Sequence, residues 1–454
     1  KADSQTFFTG NRKSPWYLVA FGMVGATLSG VTFISVPGEV GNSAFSYLQF
    51  VLGNIAGFWI VALVLLPLYY RLNLVSIYSF LEQRFGFYSH KTGSFFFLIS
   101  KLIGAAFRLF LVAGVLQLAF FDAFKIPFAL TVTVTIGLIW VYTFKGGIKT
   151  IVWTDTLQTL FLLSAVILTI VAISKSLGWS AENFLNEIAN DRNSKIFFWD
   201  WRLGNNFFKQ FFAGMFITIV MVGMDQDMMQ KNLTCKNIKE AQKNMLVFSF
   251  TFLVAVFLFL CLGAMLYIYA GKNGIAIPQS TDDLYPLLAL HYFGLPVGIA
   301  FLLGIIAAAY SSADSALTAL TTSFSVDFLN VEKHEESKRQ KIKRWSHLLF
   351  SVLLILVIIL FKAINNESIV VAVFRVAGYT YGPLLGLFAF GMYSKRKVID
   401  KWVPFVAVIS PFICFFISKY SHIIFDGYEF GFELLILNGL ITFVGLLSIS
   451  KKPV

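Results

Sequence analysis

Long apolar runs alternate with short polar breaks along this chain, and the interruptions inside those runs carry most of its meaning. Apolar segments near 15–42, 46–70, 88–121, 126–144, 149–173, 206–228, 244–271, 296–324, 343–363, 367–393, 402–419 and 432–450 predict twelve membrane-spanning helices, since about 20 apolar residues cross a hydrocarbon core. The ten-residue alternation of a membrane β-barrel is missing. The polar pieces left over, roughly 74–87, 176–205, 272–295 and 329–342, are too short for a second domain. One transmembrane domain over residues 1–454 is expected. Residues 74–87 predict an amphipathic helix at the inner surface.

Three spans are not uniformly apolar. In the eighth, Ser311, Ser312, Asp314 and Ser315 interrupt the run FLLGIIAAAYSSADSALTALTTSFSVDF. A carboxylate beside hydroxyls at bilayer depth is costly, so it marks a path for an ion, a proton or a solute. Ala308, Ser311 and Ser312 share one helix face, and Ser311, Asp314 and Ser315 a second. The two faces are offset by about 60° and ~4.5 Å along the axis, which gives two small hard cations room among oxygen ligands. The competing reading is that these groups only tie helices together by hydrogen bonds. The first span packs Gly22, Gly25, Gly30, Pro37, Gly38 and Gly41 around Thr27, Ser29 and Thr32. That density predicts a broken helix whose freed carbonyls face a cavity. The sixth repeats the theme with Gly214, Thr218 and Gly223, and paired Gly-interrupted spans five helices apart predict an inverted repeat.

Composition agrees with the membrane class: 57% of residues are hydrophobic and 13% charged, far from a soluble domain. The net charge of +12 raises a nucleic-acid partner, and its placement argues against one. With the N-terminus inside, 24 of the 36 Lys and Arg fall in inner loops or at inner span ends, against 9 outside and 3 (Lys101, Arg108, Arg375) within spans. This is the positive-inside bias, so the basicity reports orientation, with both termini cytoplasmic. Cys235, Cys261 and Cys414 have no disulfide or metal spacing. The chain begins with Lys, so residues are expected in front of it. No phosphate-cradling Gly-rich loop appears, so the energy source is a gradient rather than nucleotide hydrolysis. A passive channel would need a polar stripe along a whole span. A hydrolase using Ser311 or Ser312 would need a His nearby, and all five His lie near span ends.

Five motifs in order resemble the sodium/solute symporter family, from about Phe8 to the end. GATLSGVTFISVPG is similar to its first core helix, most of all in its sialic acid branch. TFKGGIKTIVWTDTLQ, at 143–158, resembles the family's GG…WTD-x-x-Q segment. Gln226–Gln230 with Asn237–Glu240 resembles its QD-x-x-Q segment, AAAYSSADS its Ala-x-x-Ser-Ser, and YGPLLGLFAFGM its GP-x-x-GLF-x-x-G. The resemblance implies an all-α, LeuT-type fold of two inverted five-helix repeats, here 15–175 and 206–393, with additional helices at 402–450. It implies sodium-coupled import of a small solute by alternating access in a bacterial inner membrane, without a cofactor and as a monomer.

A first sodium site follows from the resemblance, on carbonyls of Gly25, Leu28 and Ala308 and hydroxyls of Ser311 and Ser312. A second falls on Asp155, Asp314 and Ser315, where one family hydroxyl has become a carboxylate. Two carboxylates there leave proton coupling as a rival to sodium. Thr27, Ser29 and Thr32 match positions that hydrogen-bond the ligand in the sialic acid branch. That branch's carboxylate-binding Arg falls near Gly104–Ala105 and is absent, and its Gln in the second helix falls near Val51. Lys101 and Arg108 flank the gap on one face. Arg108 either reaches an anionic ligand, or pairs with a carboxylate such as Asp122 or snorkels outward. Asp225 and Asp227 are expected to cap a helix. Tyr47, Phe45 and Tyr381 are candidate vestibule walls. A sugar or sugar acid is the expected solute, with a monocarboxylate, polyol or amino acid as alternatives.

Overall fold

The computed structural model describes residues 15–72, 77–143, 148–364 and 368–451. Its first span is two helices, α1 (Trp16–Thr27) and α2 (Gly30–Ser43). Between them Leu28 (φ −74, ψ 66) and Ser29 (φ −76, ψ 174) leave the helical region. The Ser29 N–H turns to the carbonyl of Thr27 at 2.8 Å, and the Thr27 hydroxyl donates to the carbonyl of Met23 at 2.9 Å. Such local bonds compete with the helical ladder, which is why a Thr-Leu-Ser-Gly run yields here.

Next come α3 (Tyr47–Ile60), which continues to Arg71, then α4 (Phe87–Leu116), α5 (Phe128–Thr143) and α6 (Ile148–Ser176). The second half has α7 (Phe207–Thr218), α8 (Gln226–Leu233), α9 (Ile238–Lys272), α10 (Leu295–Ser323), α11 (Glu336–Ile364), α12 (Ile369–Thr380) and α13 (Gly382–Tyr393). The chain closes with α14 (Val403–Ile424) and α15 (Leu434–Ser448). A short ribbon, β1 (Lys397–Val398) antiparallel to β2 (Ser450–Lys451), joins the loop before α14 to the end of the chain. Among the described residues six helices are long and apolar enough to cross a membrane. Two further spans are bent pairs, α7 with α8 at 70° and α12 with α13 at 47°. The expected tenth span is therefore broken as well, at Tyr381 before Gly382 and Pro383. Within 74–87, where the sequence predicts an inner-surface helix, the helix covers Ser79–Arg84, with Phe80 and Leu81 buried.

The break in the sixth span lies at Met224 and Asp225, after one wide turn at Ile219–Gly223. Gly214 has another purpose than the sequence suggested. A Cβ there would stand 2.0 Å from the Phe50 carbonyl, and one on Gly53 would stand 1.9 Å from that of Phe211. Gly53 and Gly57 form a small-x-x-x-small face on α3, so this pair of helices packs backbone against backbone. Elsewhere α10 lies against α6 and α4, while α9 packs on α1, α2 and α3. The first break is thus enclosed by α6, α9 and α10, and the second faces α4.

Candidate functional site

The breaks in the first and sixth spans open onto one cavity. Its lining includes Thr27, Ser29 and Thr32 from the first break, Tyr47, Phe50 and Asn54 from α3, and Ser100, Lys101, Gly104, Ala105 and Arg108 from α4. Thr218, Asp225 and Asp227 come from the second break, Ser312, Ser315 and Ala316 from α10, and Phe374 and Tyr381 from α12 and its end. All five expected solute-contacting residues, Thr27, Ser29, Thr32, Tyr47 and Arg108, meet here. Thr32 donates to the Thr27 carbonyl at 3.3 Å, which leaves its lone pairs for a ligand. Tyr47 stacks on Phe50 with ring centroids 5.4 Å apart, and Phe50 meets Phe374 at 4.6 Å. This makes an aromatic wall beside the polar break. Phe45 is buried away from the cavity, and its N–H donates to the carbonyl of Lys195.

The charges sort themselves unequally. Lys101 Nζ sits 3.1 Å from Asp225 and 3.4 Å from Asp227. Asp225 also caps α8, accepting from the N–H groups of Asp227 and Met228 at 3.0 and 3.2 Å. The expected cap is present, and the same carboxylate pairs with a partly buried lysine. Arg108, two turns further along α4, makes no ion pair among the described residues. Asp122 accepts instead from Gln117 Nε2 at 2.6 Å, so the expected Arg108–Asp122 pair is not formed. Gly104, one turn before Arg108, faces open space.

Of the first sodium set, Gly25, Leu28, Ala308 and Ser312 are all buried. The Ser312 and Ser315 hydroxyls are buried without a hydrogen-bond partner among the described residues. The carbonyls of Gly25 and Leu28 accept from Gln158 Nε2 at 2.9 and 3.1 Å. The side chains of Ser311, Asp155 and Asp314 lie outside the described residues. Ser315 is accordingly the only residue of the second cation set whose side chain is described.

Two residues escaped the sequence reading. Asn54 lines the cavity with its side-chain oxygen unpartnered. The signal was there, an isolated amide inside FVLGNIAGF, since a polar group at that depth is a site by default. Gln158 was seen only as part of a motif. Nothing local links it to residues 130 and more positions away. Val51 is the apolar position where the sialic acid branch has its Gln, and nearby Gln49 does not replace it: its side chain donates to the carbonyl of Asn205 and accepts from the N–H of Phe198.

The comparisons with known proteins agree with this geometry. The model of the sodium:solute symporter family matches residues 7–399. The sodium/sialic acid symporter SiaT of Proteus mirabilis is 27% identical over 427 residues, covering 89% of this chain and 83% of its own. The sodium/sialic acid symporter NanT of Aliivibrio fischeri is also 27% identical, covering 86% and 78%. Among solved structures, a Na+-coupled sialic acid symporter in a substrate-bound outward-open state superposes with a TM-score of 0.77 at 21% identity, covering 99% and 93%.

Proposed function

The chain belongs to the sodium:solute symporter family, and from that premise we propose that this member imports an anionic sugar acid of the sialic acid kind together with sodium. It is a multi-pass membrane symporter of LeuT-type architecture, coupled to sodium and working by alternating access, and not an enzyme. The observation that carries the choice of solute is Arg108. It is a cavity-lining cation without an ion pair among the described residues, while the other lining cation, Lys101, is held by two carboxylates. A guanidinium recognises a carboxylate through two parallel hydrogen bonds. The solute's carboxylate meets Arg108 about one turn, ~6 Å, beyond the open space at Gly104. Its hydroxyls meet Thr27, Ser29, Thr32 and Asn54, and its apolar ring face lies on Tyr47 and Phe50.

Sodium binds at the first break, between the carbonyls of Gly25, Leu28 and Ala308 and the hydroxyls of Ser311 and Ser312. The unpartnered Ser312 oxygen supports this set. A second cation site on Asp155, Asp314 and Ser315 belongs to the same reading, with the Ser315 hydroxyl as its support. Residues 15–175 and 206–393 act as the two inverted repeats, supported by a break in the first helix of each. The protein sits as a monomer in a bacterial inner membrane with both termini in the cytoplasm.

The test is uptake of radiolabelled sialic acid into proteoliposomes under an inward sodium gradient, with potassium as control. Uptake should require sodium, and Arg108→Gln should abolish it while sodium binding persists. If Arg108→Gln transports as well as the parent, the anionic-solute reading is lost.

A further inference from the structure

The break between α1 and α2 strips two carbonyls of their helical donors. The Gly25 carbonyl would accept from the N–H of Ser29, which instead turns to Thr27 at 2.8 Å. The Leu28 carbonyl would accept from Thr32, but the helix restarts only with the bond from Phe33 to Ser29 at 3.0 Å. One nitrogen serves both. Gln158 Nε2, fully buried on α6, donates its two protons to these two oxygens at 2.9 and 3.1 Å. The other end of the same amide, Oε1, is buried and has no partner among the described residues. An aliphatic side chain would fill the space without that unmet acceptor, whereas the amide's two N–H donors satisfy both carbonyls at once.

A carboxamide is also the side chain whose two ends answer oppositely to a positive charge. With the NH2 group towards the carbonyls, three dipoles attract. With the oxygen towards them, three oxygens face one another, an arrangement that only a cation between them relieves. We infer that Gln158 is the neutral stand-in for sodium at the first site: its amide holds the Gly25 and Leu28 carbonyls together, and the ion competes with it for the same lone pairs. This rests on the sodium site proposed above, and adds to it the residue that sets how much sodium is needed to fill that site. Sodium entry displaces Nε2 from both oxygens, which couples ion binding to a change at the α1–α6 contact.

The experiment is a sodium titration of purified protein at constant ionic strength, with potassium as the replacing ion, read by melting temperature and by calorimetry. Gln158→Met keeps the length of the side chain and removes the donors, and Gln158→Leu is the second variant should the first not fold. Competition predicts a lower melting temperature in potassium together with a three- to tenfold lower sodium concentration for half-saturation. An unchanged half-saturation makes Gln158 a structural brace and overturns the inference. A raised half-saturation makes it a plain ligand and overturns it equally. Ser312→Ala separates this from the underlying site. If Ser312→Ala weakens sodium binding while Gln158→Met leaves it unchanged, only the stand-in falls. If Ser312→Ala leaves sodium binding intact, the site itself is misplaced and the inference falls with it.

Discussion

The helix breaks of the first and sixth spans begin as the same defect and end in opposite chemistry. At the first, the freed carbonyls of Gly25 and Leu28 meet one neutral amide, beside two serine hydroxyls with no partner among the described residues. At the second, the freed groups meet hydroxyls and an ion pair. Tyr69 and Tyr78 donate their hydroxyls to the carbonyls of Gly223 and Met224 at 2.8 and 2.9 Å. Gln226 accepts from the N–H of Ile77 at 2.9 Å, and Asp225 is pinned by Lys101. The weak, neutral donor at the first break fits the sodium site proposed above, because a fixed charge there would hold the site shut or hold the ion permanently. A break that must keep its shape while its neighbour changes is stapled by hydroxyls and an ion pair.

The largest effect expected is at the staple. Lys101→Met leaves the buried Asp225 without its lysine and should destabilise the protein by about 3–5 kcal/mol, seen as loss of folded yield or a collapse of the melting temperature. Combining it with Asp225→Asn should recover part of that loss. Equal instability of the single and double variants would mean that the pair is not what closes the second break.

The first break has an anchor of its own, at the far end of α2 and outside the membrane spans. A Cβ on Gly38 would stand 2.4 Å from the carbonyl of Thr281, and the next residue, Asp282, accepts from the N–H of Ile369 at 2.8 Å. Burial, helped by the charges of Asp283 and Glu39, pushes the Asp282 carboxyl up to about 7 from the ordinary 3.8. Between these values the folded protein keeps a proton that the unfolded chain has released. This contribution to stability is therefore present below about pH 4 and is lost as the pH rises to about 7. With ~1.4 kcal/mol per unit, the change is on the order of 4 kcal/mol across the window. Melting temperatures of Asp282→Asn against pH should lack this slope, and an unaltered profile would remove Asp282 from the anchor.

A smaller effect separates the breaks most cleanly. Tyr78→Phe removes one donor from the Met224 carbonyl and should cost about 1–3 kcal/mol of stability, with the sodium concentration for half-saturation unmoved. A shift in sodium affinity would show that the second break is part of the ion site after all.

Much of this was legible beforehand because a bilayer makes backbone satisfaction a local matter. The helical membrane class, the broken first helix and the Asp225 cap are all written in neighbouring residues: long apolar runs, a Thr-Leu-Ser-Gly interruption, an Asp ahead of a helix start. Gly214 shows where the local reading fails, since a glycine that breaks a helix and one that admits a neighbouring backbone look alike in sequence. The sixth span breaks ten residues after Gly214, where a capping aspartate offers the chain a new helix start.

What the sequence alone determined was the class, the family motifs and the set of polar residues placed at bilayer depth. Which of them pair was left to the tertiary structure. Lys101 and Arg108 share one helix face and the same formal charge. Only the arrival of Asp225 and Asp227 beside the first neutralises it and leaves the second without an ion pair among the described residues. Gln158 likewise reaches carbonyls more than a hundred residues away. The reason is physical: burial and helix formation are dictated by nearby residues and the solvent, whereas the partner of a buried charge or amide depends on which distant helix packs within hydrogen-bond reach.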